Sequence, residues 1–177
     1  VGLFYWTWRN QNVKIEPTNL SKVLREHPDA EYDIHHPAWK EHESVHWNEP
    51  LYGFYRNDDP YVLRKHAQYF ANAGVDALFF DTTNGSLVWK DAYMALLEEF
   101  HKARLDGIKT PQVAFIMNFG PMPSTLHMLR SLYQDLYKPG LYRDLWFLWE
   151  GKPLVLAYPE AIPQEGNCLL YTSPSPR

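Results

Sequence analysis

The sequence predicts an α/β protein built as the first half of a (β/α)8 barrel, about four βα units, with a long insertion after strand 1. Three observations carry this. Short apolar runs at residues 1–8, 76–81, 112–117 and 153–158 end abruptly in polar residues, as parallel strands buried on both faces do. Stretches with helical period lie between them, and strands alternating with helices imply a parallel sheet with right-handed crossovers. A doubly wound nucleotide-binding sheet would show a Gly-rich phosphate loop after its first strand. This chain has Trp6-Thr7-Trp8-Arg9-Asn10 there instead.

Taken in order, residues 1–8 form an aromatic first strand. A short helix comes next, over residues 18–26. Asp58-Asp59 as caps and Pro60 in the first turn open a helix whose one face carries Val62, Leu63, His66, Ala67, Tyr69, Phe70 and Ala73, and Gly74 ends it. The second strand runs into Phe80-Asp81. A helix over residues 87–105 has Trp89, Tyr93, Leu96, Leu97 and Phe100 as its stripe, with Gly107 after it. The third strand ends at Asn118. Pro123 precedes a helix from Ser124 bearing Leu126, Leu129, Leu132, Tyr133 and Leu136 up to Gly140. A fourth, shorter helix is expected over residues 141–149, stopped by Gly151, and the fourth strand ends at Pro159-Glu160. On helices with apolar spacing, Trp89, Trp146 and Trp149 are expected in the core.

The segment of residues 9–59 is too long for an ordinary connection, and long connections are usually functional. Five of the eight histidines fall between residues 27 and 46. It also holds the aromatic stretch Trp47-Asn48-Glu49-Pro50-Leu51-Tyr52-Gly53-Phe54-Tyr55. Placed after a strand's C-terminal end, this insertion belongs on the catalytic face of a barrel, as a lid or subsite wall.

The 177 residues suffice for a domain with a real core. A net charge of −4, with no Lys/Arg cluster, argues against a nucleic-acid partner. No run approaches the roughly 18 apolar residues of a membrane span. The chain begins inside an apparent strand without an initiator Met, so the natural N-terminus is expected upstream. Residues 168–177 have neither period and resemble the translation of a transposon-based sequencing-library adapter. They are read as an artefact appended to a partial catalytic-type domain of residues 1–167, in preference to a natural Pro/Ser-rich tail. The single cysteine, Cys168, lies in that tail and supports no disulfide, thiolate or metal chemistry. The parent protein is expected to continue past Asn167.

Gly2-Leu3-Phe4-Tyr5-Trp6-Thr7-Trp8, Asp59-Pro60 with His66, Gly74-Val75-Asp76 into Phe80-Asp81, and Tyr142 to Gly151-Lys152-Pro153-Leu154 together resemble bacterial glycoside-hydrolase-like (β/α)8 proteins. More distantly they are similar to the endo-α-mannosidase and endo-α-mannanase family and to fungal α-1,3-glucanases. The resemblance covers about residues 1–160. It implies a carbohydrate substrate and, for the full-length protein, a secreted or periplasmic setting. That family's catalytic glutamates sit late in the barrel, beyond this chain, so they are not transferred.

Glycoside hydrolysis needs two carboxyl groups flanking one bond. Asp81 and Glu160 are the carboxylates expected at strand C-terminal ends, two strands apart, and are the catalytic candidates. The competing reading of Asp81 is a cap on the next turn, through the amides of Thr83 or Asn84, or a hydrogen bond to a sugar hydroxyl. Aromatic rings stack on the C–H faces of pyranoses, while Asn, His and carboxylates hold hydroxyls. Trp8, His36, His46, Trp47, Glu49, Tyr52, Tyr55, Asn84 and Asn118 are therefore the substrate-binding candidates. Trp6 could serve too, but reads more strongly as core filling, and Trp8 at the strand end is preferred. Arg9 and Arg56 would suit an acidic sugar. His35-His36 and His46 invite a metal, yet adjacent histidines chelate one ion poorly and no HExxH pattern appears. No metal and no cofactor are expected. The function read is a glycoside hydrolase; a non-catalytic carbohydrate-binding barrel and a metal-dependent hydrolase are the alternatives. Oligomeric state is not legible, and half a barrel with unpaired edge strands is an aggregation hazard, so the chain alone is not expected to be active.

Overall fold

In the computed structural model, the residues described are 1–7, 19–33, 35–39, 50–53 and 55–162. A four-stranded parallel sheet organises them. Its strands are β1 (Gly2–Trp6), β2 (Ala77–Asp81), β3 (Gln112–Ile116) and, last in the chain, Val155–Leu156. They lie side by side in sequence order. The predicted parallel, sequentially wound sheet is thus present.

The helices can be understood from their termini. α1 (Leu20–Glu26) begins where the Asn19 side chain accepts from the Lys22 amide, 2.9 Å away. α2 (Pro60–Asn72) starts as the sequence foretells. Asp59 accepts from the amides of Tyr61 and Val62 at 2.9 and 3.2 Å, and Pro60 fills a position where no donor is needed. Gly74, at φ +68°, reverses the chain into β2. α3 (Lys90–Leu105) has no side-chain cap and begins at Trp89, which is held left-handed and only half-buried. α4 (Ser124–Leu132) runs on into one wider π-helical turn, Tyr133–Tyr137.

One expectation fails. Residues 141–149 are not a helix. They make a single 3-10 turn, Arg143–Leu145, and then a hairpin of β4 (Leu148–Trp149) and β5 (Lys152–Pro153). The fourth strand of the main sheet, hereafter β6, is correspondingly shorter than expected. The reason lies in the turn: Glu150 and Gly151 both have positive φ, 50° and 77°, the two-residue geometry that matches hairpin twist. The bulky run Trp146-Phe147-Leu148-Trp149 suits extended backbone. Trp146 is buried, its Nε1 donating to the Leu141 carbonyl at 2.9 Å and its ring edge-on to Tyr137. Trp149 is exposed on the hairpin and is not a core residue.

Register decides which side chains share a face. Tyr5, Phe80, Phe115 and Val155 form one cross-sheet row, and Trp6, Asp81, Ile116 and Leu156 form the next row on the opposite face. The first row faces the helices. Phe80 and Phe115 meet edge to face with centroids 5.1 Å apart, Tyr93 of α3 meets Phe115 at 5.3 Å, and Leu63, Leu97, Phe100, Leu129 and Leu132 complete the core. Truncating one such buried Phe to Ala would cost about 3–5 kcal/mol. Arg104 ties the end of α3 to two later segments, donating to Thr110 Oγ1 and O at 2.9 and 2.8 Å and to the Asp144 carbonyl. No described helix is long and apolar enough to cross a membrane.

Candidate functional site

The C-terminal ends of the strands gather the polar side chains. Asp81 closes β2 on the face away from the helices and is only 3% exposed. Its Oδ1 accepts from the Thr83 amide at 2.9 Å, so the turn bond anticipated as the competing reading is made. Thr82 is anchored to the neighbouring strand: its amide and hydroxyl both donate to the Ile116 carbonyl, at 3.0 and 2.7 Å. The carboxylate therefore sits on a segment fixed from two sides.

Asn118, two residues beyond the end of β3, is used within the fold. Its Nδ2 donates to the carbonyls of Thr83 and Gly85 at 2.7 and 3.2 Å, and its Oδ1 accepts from Thr125 Oγ1 at 2.9 Å. Ser124 Oγ reaches the same Gly85 carbonyl. This clamp holds the loop after Asp81 against the start of α4. Asn84 stands exposed within that loop, next to Gly85 at φ +83°. Glu160 lies at the same end of the sheet, exposed in the 3-10 turn Pro159–Ala161 just past β6.

Beside Asp81, Trp6 is 55% exposed on the same face. The sequence reading valued Trp8 above it, but Trp8, Arg9, His46, Trp47 and Glu49 lie outside the described residues, as do Thr18, Phe54, Cys168 and the whole of residues 163–177. On the other side of β1, a cleft of about 170 Å³ opens between the strand end and α2 and α3, lined by Thr7, Tyr55, Arg56, Asn57 and His66 among others. His66 Nδ1 pairs with the Tyr5 hydroxyl at 3.0 Å, and the Tyr55 ring meets His66 edge-on. Asn57 donates to the Thr7 carbonyl at 2.7 Å. Arg56 makes a two-pronged pair with Asp58, at 2.9 and 3.1 Å. The sequence reading placed His66 on a helix face and did not propose it for the site; a lone histidine on an apolar stripe was the available signal.

Two further candidates stand elsewhere. The Tyr52 ring lies 11° from parallel with Tyr69 and edge-on to Tyr61, both on α2, and its hydroxyl bonds that of Tyr69. That hydrogen bond, with smaller contributions from burial and from Tyr69 and Tyr61 as charged neighbours, pushes the Tyr52 hydroxyl up to about 12. His36 has its partners within the insertion. The Ala38 amide donates to its Nδ1 at 3.1 Å, its Nε2 lies 3.3 Å from Asp29 Oδ2, and its ring is 5.6 Å from that of His27. His27, Asp29 and His36 bring ligating atoms within 4.8 Å of one another, the one such group among the described residues. A neutral imidazole that accepts at Nδ1 carries its proton on Nε2. In that tautomer the nitrogen facing Asp29 is a hydrogen-bond donor.

A parallel sheet wound in sequence, with its polar residues at the strand C-terminal ends, defines an α/β protein of the barrel type. In three dimensions the chain is similar to the GH99 endo-alpha-mannosidase of Bacteroides thetaiotaomicron. Against that enzyme in complex with BIS-TRIS-propane the TM-score is 0.51 at 20% identity, over 88% of this chain and 41% of that one. Against a second structure of the enzyme the TM-score is again 0.51 at 20% identity, over 89% and 45%. The chain thus spans less than half the length of the structures it matches, and at this identity the likeness speaks for the fold. No protein-family model matches the sequence, and no curated protein does.

Proposed function

We propose that this chain is the N-terminal part of a glycoside hydrolase barrel acting on a polysaccharide or oligosaccharide. One observation carries the reading: a buried carboxylate, Asp81, ends a strand at the mouth beside the exposed indole of Trp6. That combination suits a sugar ring held by its C–H face with a carboxylate directed at its oxygens. The likeness in fold to an endo-alpha-mannosidase supports it.

In this reading the Thr83 amide orients the Asp81 carboxylate, and the Asn118 clamp keeps the loop from drifting. Asp81 serves as acid/base or as a ligand to a substrate hydroxyl, and Glu160 is the second carboxyl group at the same sheet end. A retaining enzyme holds its two carboxyl groups about 5–5.5 Å apart and an inverting one about 6.5–9.5 Å. The remaining strands of the parent barrel would complete the site. We place the parent protein in the secreted or periplasmic space, where polysaccharides are met.

A second reading has its own support. Because Asp81 Oδ1 is engaged by the Thr83 amide, the residue could act in structure and binding alone, in a barrel that holds sugar without cleaving it. Assay of the full-length protein with Asp81→Asn separates the two. Turnover lost with the fold intact supports hydrolysis; sugar binding without turnover in the wild-type protein supports the second reading.

A further inference from the structure

The segment that follows α1 is folded by its own backbone. The His27 amide donates to the Val23 carbonyl at 2.8 Å and ends the helix. Pro28 opens a 3-10 turn, Pro28–Tyr32, which carries Asp29. A second such turn, Pro37–Trp39, is folded back onto the first. Trp39 Nε1 donates to the carbonyls of Ala30 and Asp33 at 3.1 and 3.0 Å, and the His36 amide donates to the Asp33 carbonyl at 3.0 Å. On this frame His27, Asp29 and His36 bring their ligating atoms within 4.8 Å of one another.

We infer that these three side chains form a binding site for one divalent transition-metal ion of the zinc type. Two imidazoles and a carboxylate are donors that zinc takes, whereas magnesium and calcium prefer oxygen alone. The spacing agrees. His36 Nε2 and Asp29 Oδ2 are 3.3 Å apart. Two atoms bound tetrahedrally at about 2.0–2.1 Å stand about 3.3–3.4 Å from each other, while an N–H···O hydrogen bond spans about 2.7–3.2 Å. The pair is therefore spaced as two ligands of one ion rather than as donor and acceptor. His27 is exposed and its ring lies 5.6 Å from that of His36, so rotation of its side chain brings its nitrogen to the same ion. A fourth position is left for water. The set pairs His36 with His27 and not with its neighbour His35, so the poor geometry of adjacent histidines does not arise. Loading costs one hydrogen bond. His36 Nε2 must ligate through its lone pair, so its proton passes to Nδ1, the ring stays neutral, and the Ala38 amide loses its acceptor. All three ligands fall within residues 27–36, so the site depends neither on the rest of a barrel nor on the glycosidase reading.

Calorimetric titration of the metal-stripped 177-residue chain with zinc tests this. One tightly held ion per chain is expected, and Co2+ in its place should give the visible absorption of a four-coordinate ion. His27→Ala and Asp29→Ala should each weaken the dissociation constant at least about tenfold, while His127→Ala, at an exposed histidine on α4, leaves it unchanged. Carbethoxylation read by mass spectrometry needs no variant: zinc should shield His27 and His36 from diethyl pyrocarbonate and leave His127 reactive. No saturable binding, equal effects of the His27 and His127 variants, or zinc that leaves His27 and His36 reactive would each overturn the inference.

Discussion

Trp6 and Asp81 are register partners across β1 and β2, at the last position of each strand and on the face turned away from the helices. The indole is open to solvent and the carboxylate beside it is buried. This juxtaposition of a flat apolar ring with a fixed anion is the chemical core of the proposed site.

If Trp6 is the platform for a sugar ring, its removal should weaken binding more than chemistry. In the full-length protein Trp6→Ala should raise KM about tenfold, roughly 1.4 kcal/mol, with kcat changed much less. Steady-state kinetics on an oligosaccharide substrate measures the split. An unchanged KM would remove Trp6 from the site.

Asn118 is predicted to act through the loop it clamps. Asn118→Ala takes the Asn118 amide from the Thr83 carbonyl and the Thr125 hydroxyl and leaves the Gly85 carbonyl with Ser124 Oγ. A loss of about 1–3 kcal/mol is expected, the usual cost of stranding buried polar groups. Urea unfolding of the 177-residue chain reads it.

Tyr93 offers the converse case. It is fully buried, its hydroxyl has no hydrogen-bond partner among the described residues, and burial pushes that hydroxyl's pKa upward. Tyr93→Phe keeps the ring against Phe115 and deletes the stranded hydroxyl. Stability should rise, by up to about 1–3 kcal/mol. A lower melting temperature for the variant would contradict this.

The Tyr52–Tyr69 pair makes a prediction for alkaline pH. A hydroxyl raised to about 12 in the folded state stays neutral where an ordinary tyrosine, near 10.0, ionises. Its contribution to stability is complete below pH 10, fades as pH climbs from 10 toward 12, and is absent above. Ultraviolet titration should show a late-ionising tyrosine that moves back toward 10 in Tyr69→Phe.

Much of this was legible in the sequence, for physical reasons. The run Ala77-Leu78-Phe79-Phe80 cut off by Asp81 marks a strand of a parallel sheet, and Asp59, Pro60 and Gly74 mark the limits of α2 because caps act locally. The hairpin at residues 148–153 escaped because its apolar spacing imitates a helix; the deciding fact is positive φ at Glu150 and Gly151. Asn118 read as a ligand for a substrate hydroxyl at a strand end. Its partners are two backbone carbonyls and a hydroxyl brought close only by the fold, and carbonyls leave no mark in a sequence. Tyr52 read as a sugar platform, and its seat against Tyr69 on α2 is a tertiary contact that the sequence could not show. Trp6 read as core filling; its 55% exposure depends on tertiary packing that leaves no mark in the sequence.

The most direct test is Asp81→Asn in the full-length protein, assayed for glycosidic bond cleavage and checked by circular dichroism. A native spectrum with turnover abolished is expected, since the isosteric amide can still accept from the Thr83 amide but can neither exchange a proton nor carry the negative charge. Cleavage at the wild-type rate in a folded Asp81→Asn protein would contradict the assignment of Asp81 to the chemistry.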